Sequence, residues 1–447
     1  MELRAGAAAA TSARTDLRAD AVVVGAGLGG LLAGVRLARQ GRSVVVLERS
    51  ERAGGRFTAA PMRGAEVSTG ALHLIPNGPD GALGRLLREL GVPVRIRPAD
   101  VFCSVWEDGR HRVCRRGRDV LRLLPPAERR VAPRLAASLL LARRGSSAEW
   151  LLRAVGPEAR AYRLWRAFSE FALSLPLDRV TVSEMRRVTL RTIREGLPGV
   201  PLGGCRGVIT GLVEVLQSHG GRVLLETEAT RISTRRDGAG RASGRPRVTG
   251  VEARHRRTGA LLRVTAPLVV SDVGPAATLH LCGLDEDAGA APRGATSDPD
   301  SGAGTATGLK IQLLSRTSLV PHRSVMLCLG TERVAGIVQP SNADPRLAPP
   351  GRHLVMSHQV LGLETVAQAR AAGLRDLRRL FGSALDGAEI LASAGFRGPW
   401  PVNRAAQGAD VLEPPPIAGL HWVGDAHKPG GHIMVEGVAE SVRRLRL

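Results

Sequence analysis

The 447-residue sequence predicts an α/β fold, with one domain assembled from discontinuous segments and a mixed α+β domain formed by the segments between them. Residues 21–30 combine an apolar strand, a glycine-rich turn and the start of a helix. Residues 203–275 show a second helix and strand pattern, and residues 419–425 form a further strand before residues 429–431 and a final helix. We expect these three segments to assemble one domain.

The N-terminal segment predicts a strand at 21–24, a helix over about 29–40 and a strand at 43–47. Gly41 follows the helix, at a position where a left-handed residue is favoured. Residues 1–19 lack the apolar core of a signal peptide, so we expect them to form a disordered leader.

The middle of the chain changes character twice. Residues 81–199 have apolar residues at three- and four-residue spacing, which predicts a helical region. Residues 285–307 contain Gly, Ala, Ser, Asp and Pro in no periodic order, which predicts a mobile surface loop. The other predicted elements are a helix from 207 to about 220, a strand at 223–225, a basic hairpin around 237–246, strands at 267–271, 308–314, 324–329 and 353–358, and a helix over 364–381.

The net charge of +22 is the excess of 63 basic over 41 acidic residues, and all of the basic residues except Lys310 and Lys428 are arginine. This imbalance is typical of codon bias in a GC-rich genome. The arginines are scattered along the chain and aromatic residues make up 3% of it, so bases would find little to stack on. We therefore expect no nucleic-acid partner, and attraction to anionic lipid is the better interpretation of the charge.

The spacing of the cysteines and the length of the apolar runs indicate where in the cell the protein is expected. The five cysteines show no spacing typical of redox pairs or metal ligands, and no apolar run reaches the ~18 residues that cross a bilayer. We expect a cytoplasmic protein with reduced thiols and no metal site. Residues 129–144 predict a short apolar helix with basic ends, which either enters one leaflet at the inner membrane face, as a peripheral contact, or packs in the core.

The glycine-rich turn has the spacing of a site for a dinucleotide pyrophosphate. Gly25 permits the tight turn, Gly27 lets the backbone approach the pyrophosphate, and Gly30 lets the helix pack closely on the strand. The phosphates then meet free N–H groups at the helix N-terminus. Glu48 ends the next strand, where a carboxylate accepts both ribose hydroxyls of adenosine. With Asp425 supplied by the C-terminal segment, the pattern indicates FAD rather than NAD.

Residues 52–56 read Arg-Ala-Gly-Gly-Arg directly after this unit. In one interpretation the paired glycines bring backbone to the pyrophosphate and Arg56 neutralises it; in the other, Arg56 belongs to a generic basic turn. An RxGGR run after such a glutamate resembles the superfamily of flavin amine oxidases and phytoene desaturases. The alternation of patterns along the chain predicts a Rossmann-like FAD-binding domain at 20–75, 203–275 and 415–447, and a substrate-binding domain at 76–202 and 276–414.

Further motifs resemble the phytoene desaturase-like branch, which includes carotenoid desaturases, carotenoid isomerases and retinol saturases. Ala229 lies in the adenine-side strand where that branch often has Val, a change of little consequence for a backbone contact. The matching runs are Pro201-Leu-Gly-Gly204, Val269-Val-Ser-Asp272-Val-Gly-Pro275 beside a VVSNxxP-like pattern, Pro340-Ser-Asn-Ala-Asp-Pro345, and Gly424-Asp425 with the glycines and glutamates of 430–441.

The resemblance implies roles around the flavin. Asp425 is expected to accept hydrogen bonds from the ribityl chain, with a structural helix N-cap as its alternative role. The last helix, near Met434 and Val435, is expected to direct its N-terminus at the N1–O2 edge, where reduced flavin carries negative charge. The predicted FAD-binding residues are Gly25, Gly27, Leu28, Gly29, Gly30, Glu48, Arg49, Gly54, Gly55, Arg56, Ala71, Leu72, His73, Ala229, Gly424, Asp425, Met434 and Val435.

His73, Lys310 and Lys428 are the catalytic candidates. His73 matches a segment that lies against the isoalloxazine in relatives, and it is a covalent attachment point, a proton shuttle or a packed histidine. Strand alternation directs Lys310 and Gln312 to the cavity near flavin N5; the alternatives are a surface ion pair and chance retention. Lys428 lies near the cofactor, also with chance retention as its alternative. Because the last hundred residues contain no cysteine, we expect FAD to be bound non-covalently.

Together these inferences predict an FAD-dependent oxidoreductase that forms C=C bonds in a long apolar isoprenoid or polyene substrate. Hydride passes to flavin N5 with loss of a neighbouring proton, and oxygen or a quinone accepts the electrons. A redox-neutral polyene cis–trans isomerase remains an alternative, as does an amine oxidase, although Tyr162 is the only tyrosine and no aromatic cage is visible. The non-enzyme alternative is a flavin-fold escort of prenyl-modified proteins, which the intact Gly424-Asp425 segment disfavours.

Overall fold

A computed structural model describes residues 15–142, 144–236, 245–284 and 304–446. Its strands, in chain order, are β1 (Thr15–Arg18), β2 (Ala21–Val24), β3 (Val44–Leu47), β4 (Ala59–Met62), β5 (Ala65–Ser68), β6 (Ile96–Pro98), β7 (Cys103–Glu107), β8 (Arg110–Cys114), β9 (Gly199–Pro201), β10 (Arg222–Leu224), β11 (Thr227–Arg235), β12 (Arg247–His255), β13 (Leu261–Thr265), β14 (Leu268–Ser271), β15 (Gly308–Ser315), β16 (Met326–Cys328), β17 (Gly336–Val338), β18 (His353–Gln359), β19 (Glu389–Phe396) and β20 (Leu420–Trp422).

The helices alternate with these strands and are concentrated in the first half of the chain. They are α1 (Leu28–Arg39), α2 (Ala82–Glu89), α3 (Asp119–Leu123), α4 (Pro126–Leu141), α5 (Ser147–Val155), α6 (Arg160–Phe168), α7 (Val182–Glu195), α8 (Gly204–Ser218), α9 (Pro275–Leu281), α10 (Val366–Phe381) and α11 (Met434–Arg443).

The first structural unit is a five-stranded parallel sheet in the order β10-β3-β2-β14-β20. The residues of β2, β3 and β14 are all buried, as expected for parallel strands covered on both faces. Helices α1, α2, α8 and α11 pack on one face, and the sheet β1-β13-β12-β11 covers the other. The α/β fold is confirmed, and strands from the N-terminal, middle and C-terminal segments lie side by side.

The second unit is a seven-stranded sheet in the order β19-β15-β18-β17-β16-β7-β8. Strands β7 and β8 form a hairpin within residues 81–199, so the prediction of a helical region there is wrong at this point. Asp108 and Gly109 both have positive φ in the turn, and an Asp-Gly pair between apolar runs is a hairpin signal. The arginine-rich sequence of β8 obscured the alternation, because most of that strand is exposed.

Three predicted segments differ from the structure or extend beyond the described residues. Residues 15–18 of the predicted leader form a strand, because β1 pairs in parallel with β13 from Thr15 opposite Leu262 onward, and residues 1–14 lie outside the described residues. The strands flanking the basic hairpin pair as expected, and its tip at 237–244 lies outside the described residues. Within the predicted loop, 285–303 lies outside them, whereas Ala306 is buried and bonded to backbone at 402–403.

Helix α4 occupies most of the segment for which a membrane-dipping or a buried helix was expected. Leu139 is its one buried residue, so the interpretation as a core helix is wrong. Leu140 and Leu141 leave 53% and 78% of their surface exposed. No helix in the described part of the chain is long and apolar enough to cross a bilayer.

Candidate functional site

A cavity of about 1020 Å³ opens at the carboxyl ends of β2, β3 and β14. Parallel α/β sheets bind ligands at this edge, because the loops that follow the strands diverge there. The predicted residues that line it are Gly25, Gly27, Leu28, Gly29, Glu48, Arg49, Gly54, Gly55, Arg56, Ala71, Ala229, Asp425, Met434 and Val435. Leu72, His73 and Lys428 do not line it, nor do Gly30 and Gly424, which lie behind its wall.

The glycine turn has the geometry that its spacing predicts. Gly25 has a φ of +96°, which glycine adopts readily. A Cβ at Gly30 would collide with the carbonyl oxygen of Gly25, so close packing requires glycine there. Gly27 is the N-cap of α1 and supplies no side-chain acceptor, which leaves the first backbone N–H groups of the helix directed at the cavity.

Glu48 is fixed in place by the backbone of the same turn. One carboxylate oxygen accepts from the Ala26 N–H at 2.8 Å and the other from the Ser50 N–H at 2.9 Å. The side chain is 8% exposed and lines the cavity. Each oxygen retains a lone pair for a further donor, so this geometry suits the predicted ribose contact.

Asp425 lies between two arginines at the end of β20. Its carboxylate accepts from the Arg56 guanidinium at 2.6 Å, from the Arg404 backbone N–H at 2.7 Å and from the Arg404 side chain at 3.2 Å. Burial opposes ionisation, but Arg56, Arg404 and Lys428 outweigh it and hold the pKa of Asp425 below its ordinary value. Ile433 is the N-cap of α11, so the N-cap alternative for Asp425 is wrong.

Arg404 was missed because it lies in a segment between β19 and β20 without periodicity. Its neighbours Phe396 and Trp400 also line the cavity, and Arg56 lies 6.0 Å from the Trp400 ring. No local motif marks these residues. Arg404 binds the Asp425 carboxylate only because the fold brings the two residues together.

Lys310 is directed into the cavity, as strand alternation predicts. The same prediction is wrong for Gln312, which does not line the cavity because its amide bonds to the backbone of Ser68. Leu309, Ile311 and Leu313 are buried together on the opposite face of β15. The Lys310 ammonium donates to the carbonyl oxygen of Gly70 and lies 4.9 Å from the centre of the Phe396 ring.

The lysine is 5% exposed, and burial lowers the pKa of Lys310 to about 7. Since its partners are a carbonyl and an aromatic ring, the alternative of a surface ion pair is wrong.

His73 is packed away from the cavity. Its Nδ1 accepts from the Cys205 N–H at 3.0 Å, and its Nε2 lies 2.7 Å from the Glu66 carbonyl oxygen, to which it donates. The side chain is fully buried, and burial lowers its pKa. Of the three interpretations, the packed histidine fits, and a shuttle or attachment role has no support in this geometry. Leu72 packs in the same region, where its carbonyl oxygen accepts from the Cys205 thiol.

Lys428 is a structural lysine rather than a catalytic one. Its ammonium donates to Asp410 at 2.7 Å and to the Asp425 carbonyl oxygen at 2.5 Å, with Ala405 at 3.4 Å. The side chain is fully buried and does not line the cavity. It ties the loop before α11 to the segment that carries Arg404.

The N-terminus of α11 reaches the cavity through Met434 and Val435. Met434 has a φ of +43°, which is uncommon for a residue other than glycine and marks a constrained backbone. Glu184 of α7, which sequence reasoning missed, accepts from the Gly431 N–H at 2.5 Å and from the Gln407 amide at 2.6 Å. The helical part of the molecule thus fixes the loop that precedes α11.

Comparison with known proteins assigns the chain to a family. Residues 28–444 match the family described as flavin containing amine oxidoreductase. The chain belongs to this family. An uncharacterized protein of Methanocaldococcus jannaschii is 30% identical over 427 residues, 95% of this chain and 97% of that protein. The crystal structure of an oxidoreductase from Methanosarcina mazei matches with a TM-score of 0.81 at 33% identity, over 96% and 99% of the two chains.

More distant similarities are of two kinds. A putrescine oxidase bound to putrescine shares the fold, with a TM-score of 0.66 at 17% identity over 96% and 98% of the chains. A phytoene desaturase (neurosporene-forming) of Cereibacter sphaeroides is 30% identical over 104 residues, 23% of this chain and 20% of that one. An all-trans-retinol 13,14-reductase of Macaca fascicularis is 38% identical over 77 residues, 17% of this chain and 12% of that one.

FAD is the cofactor of this flavin containing amine oxidoreductase, and the cavity fits it. A Cβ added at Gly55 would have no neighbour closer than 3.9 Å, so backbone borders open space beside the glycine turn. Arg56, Arg404 and Glu48 line the same cavity, where the two arginines would balance the charge of the pyrophosphate and Glu48 would accept from a ribose hydroxyl. When bound, FAD supplies a hydride acceptor, and the residues that line the cavity would bind and orient it. The described residues contain no cluster of metal ligands.

Proposed function

We propose that this FAD-dependent oxidoreductase acts on a CH–CH unit of a long apolar isoprenoid or polyene substrate and forms a C=C bond. The observation that supports this proposal most directly is the character of the cavity at Lys310. Gly70, Ala71 and Phe396 lie at this end of the cavity, and neither they nor Lys310 carry a carboxylate that could pair with a substrate ammonium. An ammonium substrate would have no anionic partner there, whereas an apolar chain would pack on the Phe396 ring.

Sequence similarity adds support for the phytoene desaturase-like branch. The segments shared with a phytoene desaturase and an all-trans-retinol 13,14-reductase belong to proteins whose names describe polyene chemistry. The fold is equally compatible with an amine oxidase, as the match to putrescine oxidase illustrates. The character of the reacting end therefore favours the polyene over the amine.

Lys310 is the residue that we propose to act on a proton at the reacting end. Desaturation removes a hydride and a proton from neighbouring carbons, so a proton acceptor near the hydride acceptor is useful. Because burial lowers the pKa of Lys310 to about 7, much of this lysine is a neutral amine just above neutral pH. The neutral amine accepts a proton directly or through a water molecule.

The test is a matched substrate panel. Oxidised holoenzyme is mixed anaerobically with phytoene, all-trans-retinol or putrescine, and flavin bleaching is followed near 450 nm. We expect bleaching by a polyene and none by putrescine, with oxygen or a quinone restoring the colour. Bleaching by putrescine alone would establish the amine oxidase. Geometric isomerisation by the pre-reduced enzyme, without net redox change, would establish the isomerase.

We also propose that α4 contacts an anionic membrane surface. Leu140 and Leu141 are exposed at the end of this helix, and its exposed face carries Arg129, Arg130 and Arg134. Flotation with phosphatidylglycerol vesicles tests this: the parent protein should float, and Leu140→Asp/Leu141→Asp should remain at the bottom. Equal flotation with purely phosphatidylcholine vesicles would contradict the role of charge.

A further inference from the structure

Asp272 follows β14 and extends over the N-terminus of α1 inside the FAD cavity. Its carboxylate lies against the glycine turn, where the Gly30 N–H favours its charged form. A Cβ added at Gly29 would lie 2.6 Å from Oδ1, and one at Gly27 or Gly424 would collide with the carboxylate. The side chain therefore occupies the cleft between the glycine turn and the end of β20.

The same cleft adjoins the N-terminus of α1, where the pyrophosphate of FAD would bind. N–H groups at a helix N-terminus attract an anion, and the carboxylate of Asp272 already lies beside those of α1. An ionised carboxylate beside a doubly charged pyrophosphate is repelled by it. A protonated carboxyl is not, and it has an O–H to donate.

The surroundings of Asp272 favour the protonated form. Burial raises the pKa of Asp272 to about 7; the Gly30 N–H, Arg404 and Arg56 oppose this rise, and Asp425 adds to it. The part of Asp272 that is still exposed borders the cavity, so FAD removes water from it. The other titratable side chains lining the cavity are Glu48, Arg49, Glu228, His280 and Lys310.

We propose that Asp272 is a cofactor-binding residue that holds a proton and donates it in a hydrogen bond to a phosphate oxygen of FAD. Binding of FAD above neutral pH is then accompanied by uptake of one proton from solvent at this carboxylate. The corresponding position in the VVSNxxP-like pattern carries asparagine, which has a permanent N–H donor and no charge. Aspartate at this position makes cofactor binding depend on pH.

The sign of the pH dependence follows from linkage. Bound FAD raises the pKa of Asp272 above its value in the apoprotein, so FAD binding is strongest below that value. Above pH 7 the apoprotein must first take up a proton, and the Kd for FAD rises by up to tenfold per pH unit until the pKa of the complex is reached. Below about pH 6 the Kd no longer changes for this reason.

The experiment measures FAD binding to apoprotein, without any turnover. Quenching of FAD fluorescence gives the Kd between pH 5.5 and 9.5 for the parent, Asp272→Asn and Lys310→Met. We expect the parent Kd to rise at least tenfold between pH 7 and pH 9, and the Kd of Asp272→Asn to stay within threefold. Lys310→Met is the control, because it removes the other cavity group with a pKa of about 7. It should keep the parent dependence of Kd on pH, since Asp272 is still present.

Proton uptake is measured directly by calorimetry. Titration of FAD at pH 8 in two buffers of different ionisation enthalpy should give close to one proton taken up by the parent and close to none by Asp272→Asn. If Asp272→Asn does not fold, the number of protons taken up by the parent and by Lys310→Met still tests the proposal. Close to one proton in both proteins supports it, and none in the parent contradicts it. A parent Kd independent of pH, no proton uptake, or weaker FAD binding by Asp272→Asn at pH 9 would overturn the proposal, because each indicates a carboxylate that turns away from the phosphate as an anion.

Discussion

The adenosine end of the cavity and the end at Lys310 are built in different ways. At the adenosine end, backbone N–H groups and Glu48 come from one continuous stretch of about thirty residues, held by hydrogen bonds within it. At the other end, Lys310, Gly70 and Phe396 come from three segments far apart in the chain. A binding motif can be local, whereas the proposed reacting end depends on how separate sheets pack together.

The largest expected effect tests the local end. Glu48→Ala should weaken FAD binding by about 3 kcal/mol or more, since two ribose hydrogen bonds of ~1.5–3 kcal/mol each are lost. Apoprotein titration with FAD measures this. Glu51→Ala is the matched control, because Glu51 is 75% exposed and does not line the cavity. A Glu48→Ala protein that binds FAD as tightly as the parent would remove Glu48 from the site.

The next effect concerns stability and the structural lysine. Lys428→Met leaves Asp410 buried without its cation, so we expect a loss of about 3–5 kcal/mol in the free energy of unfolding. Chemical denaturation of the apoprotein measures it. Arg375→Met breaks an exposed pair with Glu332 and should cost less than about 1 kcal/mol. Equal losses of unfolding free energy in the two variants would show that the buried Lys428–Asp410 pair stabilises the fold no more than an exposed pair does.

Lys310→Met tests the assembled end. Turnover or flavin reoxidation should fall at least tenfold, while FAD content and folding remain, because the stem is kept and the amine is removed. In the parent, the rate should rise with pH through about 7 as the amine loses its proton, and this rise should be absent in Lys310→Met. Parent-like kinetics in the variant, or an unchanged pH profile, would assign Lys310 to packing alone.

The contrast between the two ends also explains what the sequence predicted. The strand and turn at 21–30 and the alternation around Lys310 follow from local periodicity, and both match the structure. Arg404 and Glu184 had no local signal, because their roles come from contacts with Asp425 and Gly431 across the molecule. Lys428 was misread for the opposite reason, since its nearness in sequence to Asp425 says nothing about which way its side chain points.

The smallest expected effect concerns His73. Its sequence motif predicted a position beside the flavin, but the side chain does not line the cavity. Acid precipitation of the holoenzyme should release the yellow chromophore to the supernatant, because both ring nitrogens of His73 are engaged by backbone groups. His73→Gln should release it equally and change turnover less than threefold, with the melting temperature reporting any loss of packing. A pellet that stays yellow in the parent and turns colourless in His73→Gln would instead show that the flavin is covalently attached to His73. This histidine would then be a further contact, beside Lys310, that depends on the packing of separate segments.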